Sequence, residues 1–146
     1  MSTLEQSRAD LEQIVARWDE ALTASTTTGS DRDRDSAILR FELAYEVAWK
    51  LLQRMARLQG LEAAGPRETF SQAFKLGWLD DETAWFDIIT ARNLAMHVYR
   101  EASATALATE LPRHLAVFQP LLQFDTNYYA ELDFSHQGSK DSQGST

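Results

Sequence analysis

Cysteine is absent from the 146 residues, which excludes disulfides and thiolate metal sites and leaves the fold to packing. Prolines number three and glycines six, so few positions force a turn and the stretches between them are long enough for helices. No apolar run approaches the roughly 18 residues that a membrane span needs. Met1–Arg8 is too polar for a secretion signal, and a cytoplasmic location is expected. Basic residues are also scarce. Fourteen Lys and Arg against 22 Asp and Glu give a net charge of −8. That balance excludes a protein that grips nucleic acid over a broad surface, because neutralising phosphates needs clustered cations. Any contact with RNA is expected to be local.

What is present is helical periodicity. Leu4, Leu11, Ile14, Val15, Trp18 and Leu22 recur at three- and four-residue steps and predict a first helix. The run Ser25–Ser30, rich in hydroxyl and β-branched residues, is expected to end it. A second and longest helix is expected from about Asp33 to Gln59, with a seam of Ile38, Phe41, Tyr45, Ala48, Leu52 and Met55 and a stop at Gly60. Gly65-Pro66 opens a short third helix carrying Phe70, Ala73, Phe74 and Leu76 to Gly77. Asp80 or Asp81 caps a fourth that runs through Trp85 to Tyr99. Ser103 is expected to cap a fifth, which Pro112 and Pro120 should kink or interrupt. The fold class is therefore all-α, an antiparallel up-and-down bundle of four to five helices. One domain is expected over residues 1–134, with a disordered tail over 135–146.

The fourth helix concentrates polar side chains. On an ideal helix Tyr99 lies within about 20° of Arg92, while Asn93, Arg100 and His97 follow at roughly 100°, 80° and 140°. Trp85, Phe86, Ile89 and Met96 share that sector, and Ala91, Leu94, Ala95 and Val98 form a second apolar face. Such a helix is expected to be covered on both sides, by the bundle core and by a partner chain, most simply a second copy. Arg92 and His97, five residues apart, do not point to one spot on a regular helix. Convergence requires an irregular helix, a long reach by Arg92, or residues from two subunits. If they converge, imidazole can take a proton from a 2′-hydroxyl or give one to a leaving oxygen, and guanidinium can stabilise charge building on phosphate. No cofactor or metal is needed for that chemistry, and the three histidines, His97, His114 and His136, are too scattered for a ligand set.

Other candidates read as structural. Glu42, Glu46 and Lys50 share a face where a Glu-to-Lys pair four apart supports a helix. Trp49, Trp78 and Trp85 are expected in the core, and His114 is expected to be exposed and idle.

Three blocks resemble a known family, the HEPN proteins encoded beside minimal nucleotidyltransferases and described as nucleotidyltransferase substrate-binding proteins or HepT-like toxins. They are Arg40-Phe41-Glu42 through Glu46 to Trp49-Lys50, Pro66-Arg67-Glu68 through Ala73-Phe74-Lys75 to Gly77, and Arg92-Asn93-Leu94-Ala95-Met96-His97-Val98-Tyr99. The last fits an R-x4-H-x-Y pattern, and the blocks with their flanking helices span roughly residues 35 to 123 in the expected order. The resemblance implies a homodimer with two such motifs facing each other across an intersubunit cleft. It also implies a toxin of a type VII-like toxin–antitoxin pair, cleaving RNA without a metal through Arg92 and His97, with Asn93 in support. Tyr99 matches a tyrosine that the partner nucleotidyltransferase, the antitoxin, modifies with AMP. The alternative is a non-catalytic subunit that binds substrate for the nucleotidyltransferase. Arg100 has no counterpart in the pattern, and its place in the polar sector suggests a supporting phosphate contact or a solvent-facing charge.

Overall fold

A computed structural model describes residues 3–123, and within that range every regular element is helical. Helix α1 spans Thr3–Thr28, α2 Asp31–Leu58, α3 Pro66–Lys75, α4 Glu82–Leu94 and α5 Glu101–Phe118. Two 3₁₀ turns, Ala95–His97 and Gln119–Gln123, follow α4 and α5. The all-α bundle expected from periodicity is the observed architecture. Residues 135–146, expected to form a tail, lie outside the described residues.

The α1–α2 connection is shorter than the composition of Ser25–Ser30 predicts. The threonines stay helical because their hydroxyls donate back to carbonyls four residues earlier, Thr26 to Leu22 at 3.1 Å and Thr27 to Thr23 at 2.9 Å. The helix ends at Gly29, whose φ of 63° is a left-handed geometry that favours glycine. Ser30 Oγ then accepts from the Asp33 amide at 3.1 Å and caps α2, which therefore starts two residues before the expected Asp33. Thr28 donates to the Asp33 carboxylate at 2.6 Å. The hydroxyls of Thr28 and Ser30 hold that carboxyl below its ordinary pKa. A two-residue connection leaves α1 and α2 no alternative to running antiparallel.

The core is organised by rings. Trp18 on α1 meets Phe41 on α2 at 5.4 Å between centroids and Phe118 on α5 at 5.2 Å. Phe118 meets Trp85 on α4 at 4.9 Å, Trp85 meets Phe70 on α3 at 4.8 Å, and Phe70 meets Tyr45 on α2 at 6.1 Å. All five helices thus contribute to one continuous aromatic column, in the tilted and edge-on geometries that ring quadrupoles favour. Around it Leu4, Leu11, Leu51, Leu52, Met55, Ile88 and Leu107 are fully buried.

Four expectations are corrected. Phe74 and Leu76 are exposed, since α3 is short and turns only Thr69, Phe70 and Ala73 inward. Helix α5 begins at Glu101 with Arg100 as its N-cap and without a side-chain cap bond, so Ser103 is not the cap. Pro112 does not interrupt α5, which runs on to Phe118, whereas at Pro120 the helix has given way to the second 3₁₀ turn, as expected there. His114 is buried, with only 2% of its surface exposed, and its ring stacks on Phe41 at 5.9 Å. It falls on the stripe of Leu107, Leu111, Leu115 and Phe118, so helical geometry carries it inward.

Burial, followed by the neighbouring Arg113 cation, lowers the His114 pKa from its ordinary 6.5. The unfolded chain therefore binds a proton more readily, and the contribution of neutral His114 to stability is complete above pH 6.5 and is lost as pH falls towards its folded value. Denaturant titrations of His114→Gln at pH 7 and pH 5 are expected to show a smaller acid-induced loss of stability than the wild type.

Candidate functional site

Asp81 Oδ1 accepts from the Ala84 amide at 3.1 Å and starts α4. The helix turns Trp85, Ile88 and Ala91 inward, and buried Ala95 continues that stripe into the 3₁₀ turn. Trp85 therefore lies on the core face and not with the polar sector, while Phe86 and Ile89 are partly covered and Met96 is 65% exposed. Trp49 and Trp78 pack against the core from partly buried positions.

Arg92 sits beside this stripe, half-buried, with its Nε buried and without a hydrogen-bond partner. Its positive charge acts on Tyr45 across the α2–α4 contact. Burial is nevertheless the dominant influence on that phenol and, with Glu46, keeps its pKa above the ordinary value. Asn93 is exposed one residue later.

At Ala95–His97 the helix tightens. A 3₁₀ turn rotates the chain by roughly 120° per residue where an α-helix rotates it by about 100°, which widens the angle between Arg92 and His97. Among the described residues no hydrogen bond joins the two. The irregularity anticipated near His97 is thus real, and it turns the two positions further apart around the helix axis.

The turn brings His97, Tyr99 and Arg100 together instead. His97 Nδ1 and the Tyr99 hydroxyl are 3.3 Å apart, and their rings meet edge-on at 5.9 Å. The Arg100 guanidinium lies 5.3 Å from the centre of the Tyr99 ring, and the Arg100 amide donates to the His97 carbonyl at 3.0 Å. His97, Arg100 and Tyr99 are exposed, the last by 73%. Hollows of about 570 Å³ between α1 and α2 and about 610 Å³ beside the start of α3 are lined by other residues.

Sequence reasoning missed the ion pair that fixes this turn. Arg34, near the start of α2, donates from both terminal nitrogens to the carboxylate of Glu101, the first residue of α5, with the longer bond at 3.3 Å. The Arg34 side chain is only 12% exposed. The pairing holds the Glu101 carboxyl below its ordinary pKa and raises that of Arg34. Sixty-seven residues separate the partners, and no local spacing announces them. Also missed was a line of cations at the α1–α2 groove, although Lys50, Arg54 and Arg57 repeat at four- and three-residue steps. Glu46 and Lys50 pair at 3.5 Å, as their spacing predicts.

Among the described residues no group of three His, Asp or Glu side chains is placed to hold a metal ion, and no helix is long and apolar enough to cross a membrane. No curated protein matches the chain. A crystal structure of a protein from Thermus thermophilus is similar, with 30% sequence identity and a TM-score of 0.60, covering 73% of this chain and 99% of that one. The family described as nucleotidyltransferase substrate binding protein like matches residues 1–125. With that match across the described helices, the chain belongs to this family, which is a HEPN-like helical family.

Proposed function

We propose that the protein is a HEPN toxin, an endoribonuclease that works in the cytoplasm as a homodimer and is silenced when a cognate nucleotidyltransferase attaches AMP to Tyr99. The observation that carries this reading is the intact Arg92-x4-His97-x-Tyr99 pattern, with the imidazole and phenol exposed and 3.3 Å apart at the α4–α5 turn. A homodimer supplies what one chain lacks. No hydrogen bond joins Arg92 and His97 among the described residues, and His97 is exposed, so a second copy facing the first would create the cleft and bring four catalytic groups to it. Exposed Leu39 and Leu43, one turn apart on α2, and exposed Met96 offer apolar surface for that contact.

In the proposed reaction one His97 imidazole removes the proton from a ribose 2′-hydroxyl, and the oxygen attacks the adjacent phosphorus. The bond to the 5′-oxygen breaks, and the imidazolium of the other His97 protonates the departing oxygen. The products are a 2′,3′-cyclic phosphate and a free 5′-hydroxyl. Arg92 stabilises the charge on the pentavalent phosphorus, Asn93 supports the pair, and Arg100 contacts a neighbouring phosphate. Acid–base work and charge stabilisation thus both fall to protein groups, and cleavage is expected to persist in chelator.

Silencing follows from the His97–Tyr99 contact. The Tyr99 oxygen attacks the α-phosphorus of ATP, loses its proton and releases pyrophosphate. The new phosphodiester places a negative charge and a nucleoside beside His97 and Arg100, where a substrate phosphate would sit. The family description favours a second reading, in which the chain presents substrate to a nucleotidyltransferase and cleaves nothing.

Two measurements separate these readings. His97→Ala and Arg92→Ala are each expected to slow cleavage of RNA by at least about 100-fold, the scale of a lost acid–base group, with the melting temperature unchanged; equal activity of wild type and His97→Ala would remove the nuclease reading. Incubation with the nucleotidyltransferase and ATP is expected to add the mass of one adenylyl group at Tyr99 and none to Tyr99→Phe, as read by peptide mass spectrometry.

A further inference from the structure

The groove between α1 and α2 is used by neither reading. Two hollows of about 570 Å³ each adjoin there, sharing Asp10 and Val47 in their walls. Their lining carries Arg17 and Arg40 in one and Lys50, Arg54 and Arg57 in the other, against the single carboxylate of Asp10. Five of the protein's 14 cations thus follow one channel of a chain whose net charge is −8.

We propose that this groove is a binding site for the phosphodiester backbone of a folded nucleic acid. From Arg40 to Arg57 the line of charge runs roughly 25 Å along α2, at 1.5 Å per residue. That length suits an extended polyanion and exceeds what one mononucleotide can occupy. Four of the five cations are arginines, whose planar forks match phosphate oxygens. No aromatic side chain lines either hollow, so there is no platform for stacking unpaired bases, and recognition falls on the backbone. The lining also includes none of the exposed large apolar side chains that would anchor a protein partner. The carboxylates paired with Lys50 and Arg17 are weak competitors. Glu46 meets Lys50 at 3.5 Å and Glu20 meets Arg17 at 3.8 Å, both in exposed pairs that a phosphate can replace. The site lies across α2 from Tyr45 and Arg92, and binding there stands whether or not the His97 site cleaves RNA.

The test uses the full chain carrying His97→Ala, so that cleavage cannot interfere, and fluorescence anisotropy of a labelled RNA hairpin, a DNA duplex of the same stem and an unstructured strand. Hairpin affinity is expected to fall on the order of 100-fold between 50 and 200 mM salt, as about four neutralised phosphates require. Lys50→Glu with Arg57→Glu is expected to weaken binding at least tenfold and flatten the salt slope by about two, while Arg32→Glu, outside the groove, leaves both unchanged. Should the charge reversal perturb folding, Lys50→Gln with Arg57→Gln reads the same loss. Equal binding of hairpin and duplex supports backbone recognition common to RNA and DNA, and a preference for the hairpin supports RNA as the source. Three results would overturn the proposal: salt-independent binding, full affinity in both double variants, or displacement by poly-L-glutamate as readily as by unlabelled hairpin, which would assign the groove to acidic polypeptides.

Discussion

The aromatic column from Phe41 through Trp18, Phe118, Trp85 and Phe70 to Tyr45 is the interaction on which the rest of the structure rests. It draws on every helix, and without cysteine no covalent link can substitute for it. Each buried ring brings a large apolar surface and constrains the direction of its helix. Trp85 is the member that matters for function. Its contacts with Phe70 and Phe118 fix the rotation of α4, and that rotation leaves Arg92 at the edge of the core, half in and half out.

The chemistry of the α4–α5 turn follows from that rotation. Buried Ala95 extends the inward stripe while the helix tightens, and the next residues emerge into solvent as a cluster of imidazole, phenol and guanidinium. Arg34 then anchors the first residue of α5 to α2, so the turn is held at both ends. An exposed cluster suits the proposed roles of accepting a modification and facing a second copy. It does not suit a pocket that acts alone, which is why the proposed catalysis depends on assembly.

Much of the fold was legible in the sequence because burial in helices has a period, and Leu11, Val15, Trp18, Phe41, Tyr45 and Ala48 all obey it. The same rule, applied from Leu107, would have placed His114 inside; its polar ring and the adjacent Arg113 and Pro112 obscured that reading. The threonine run misled because hydroxyls that compete with a helix in the unfolded chain can bond to its carbonyls once it has formed. At the site, Arg92, Asn93, His97, Tyr99 and Arg100 were legible as a constellation because their spacing is local. Which of them meet was not, since the switch from α to 3₁₀ geometry reflects packing of Ala95 and the return of α5. The Arg34–Glu101 pair and the α1–α2 groove join residues distant in sequence and become visible only when the helices are assembled.

The central claim is that Arg92 and His97 act only when two chains face each other. Substituting Leu39→Glu and Leu43→Glu on the exposed face of α2 places like charges where a symmetric contact is proposed. The specific RNA-cleaving activity of that variant, measured alongside its mass by sedimentation equilibrium, is the most direct test. A folded monomer that has lost cleavage is the predicted result, and a monomer that cleaves RNA at the wild-type rate would contradict the account.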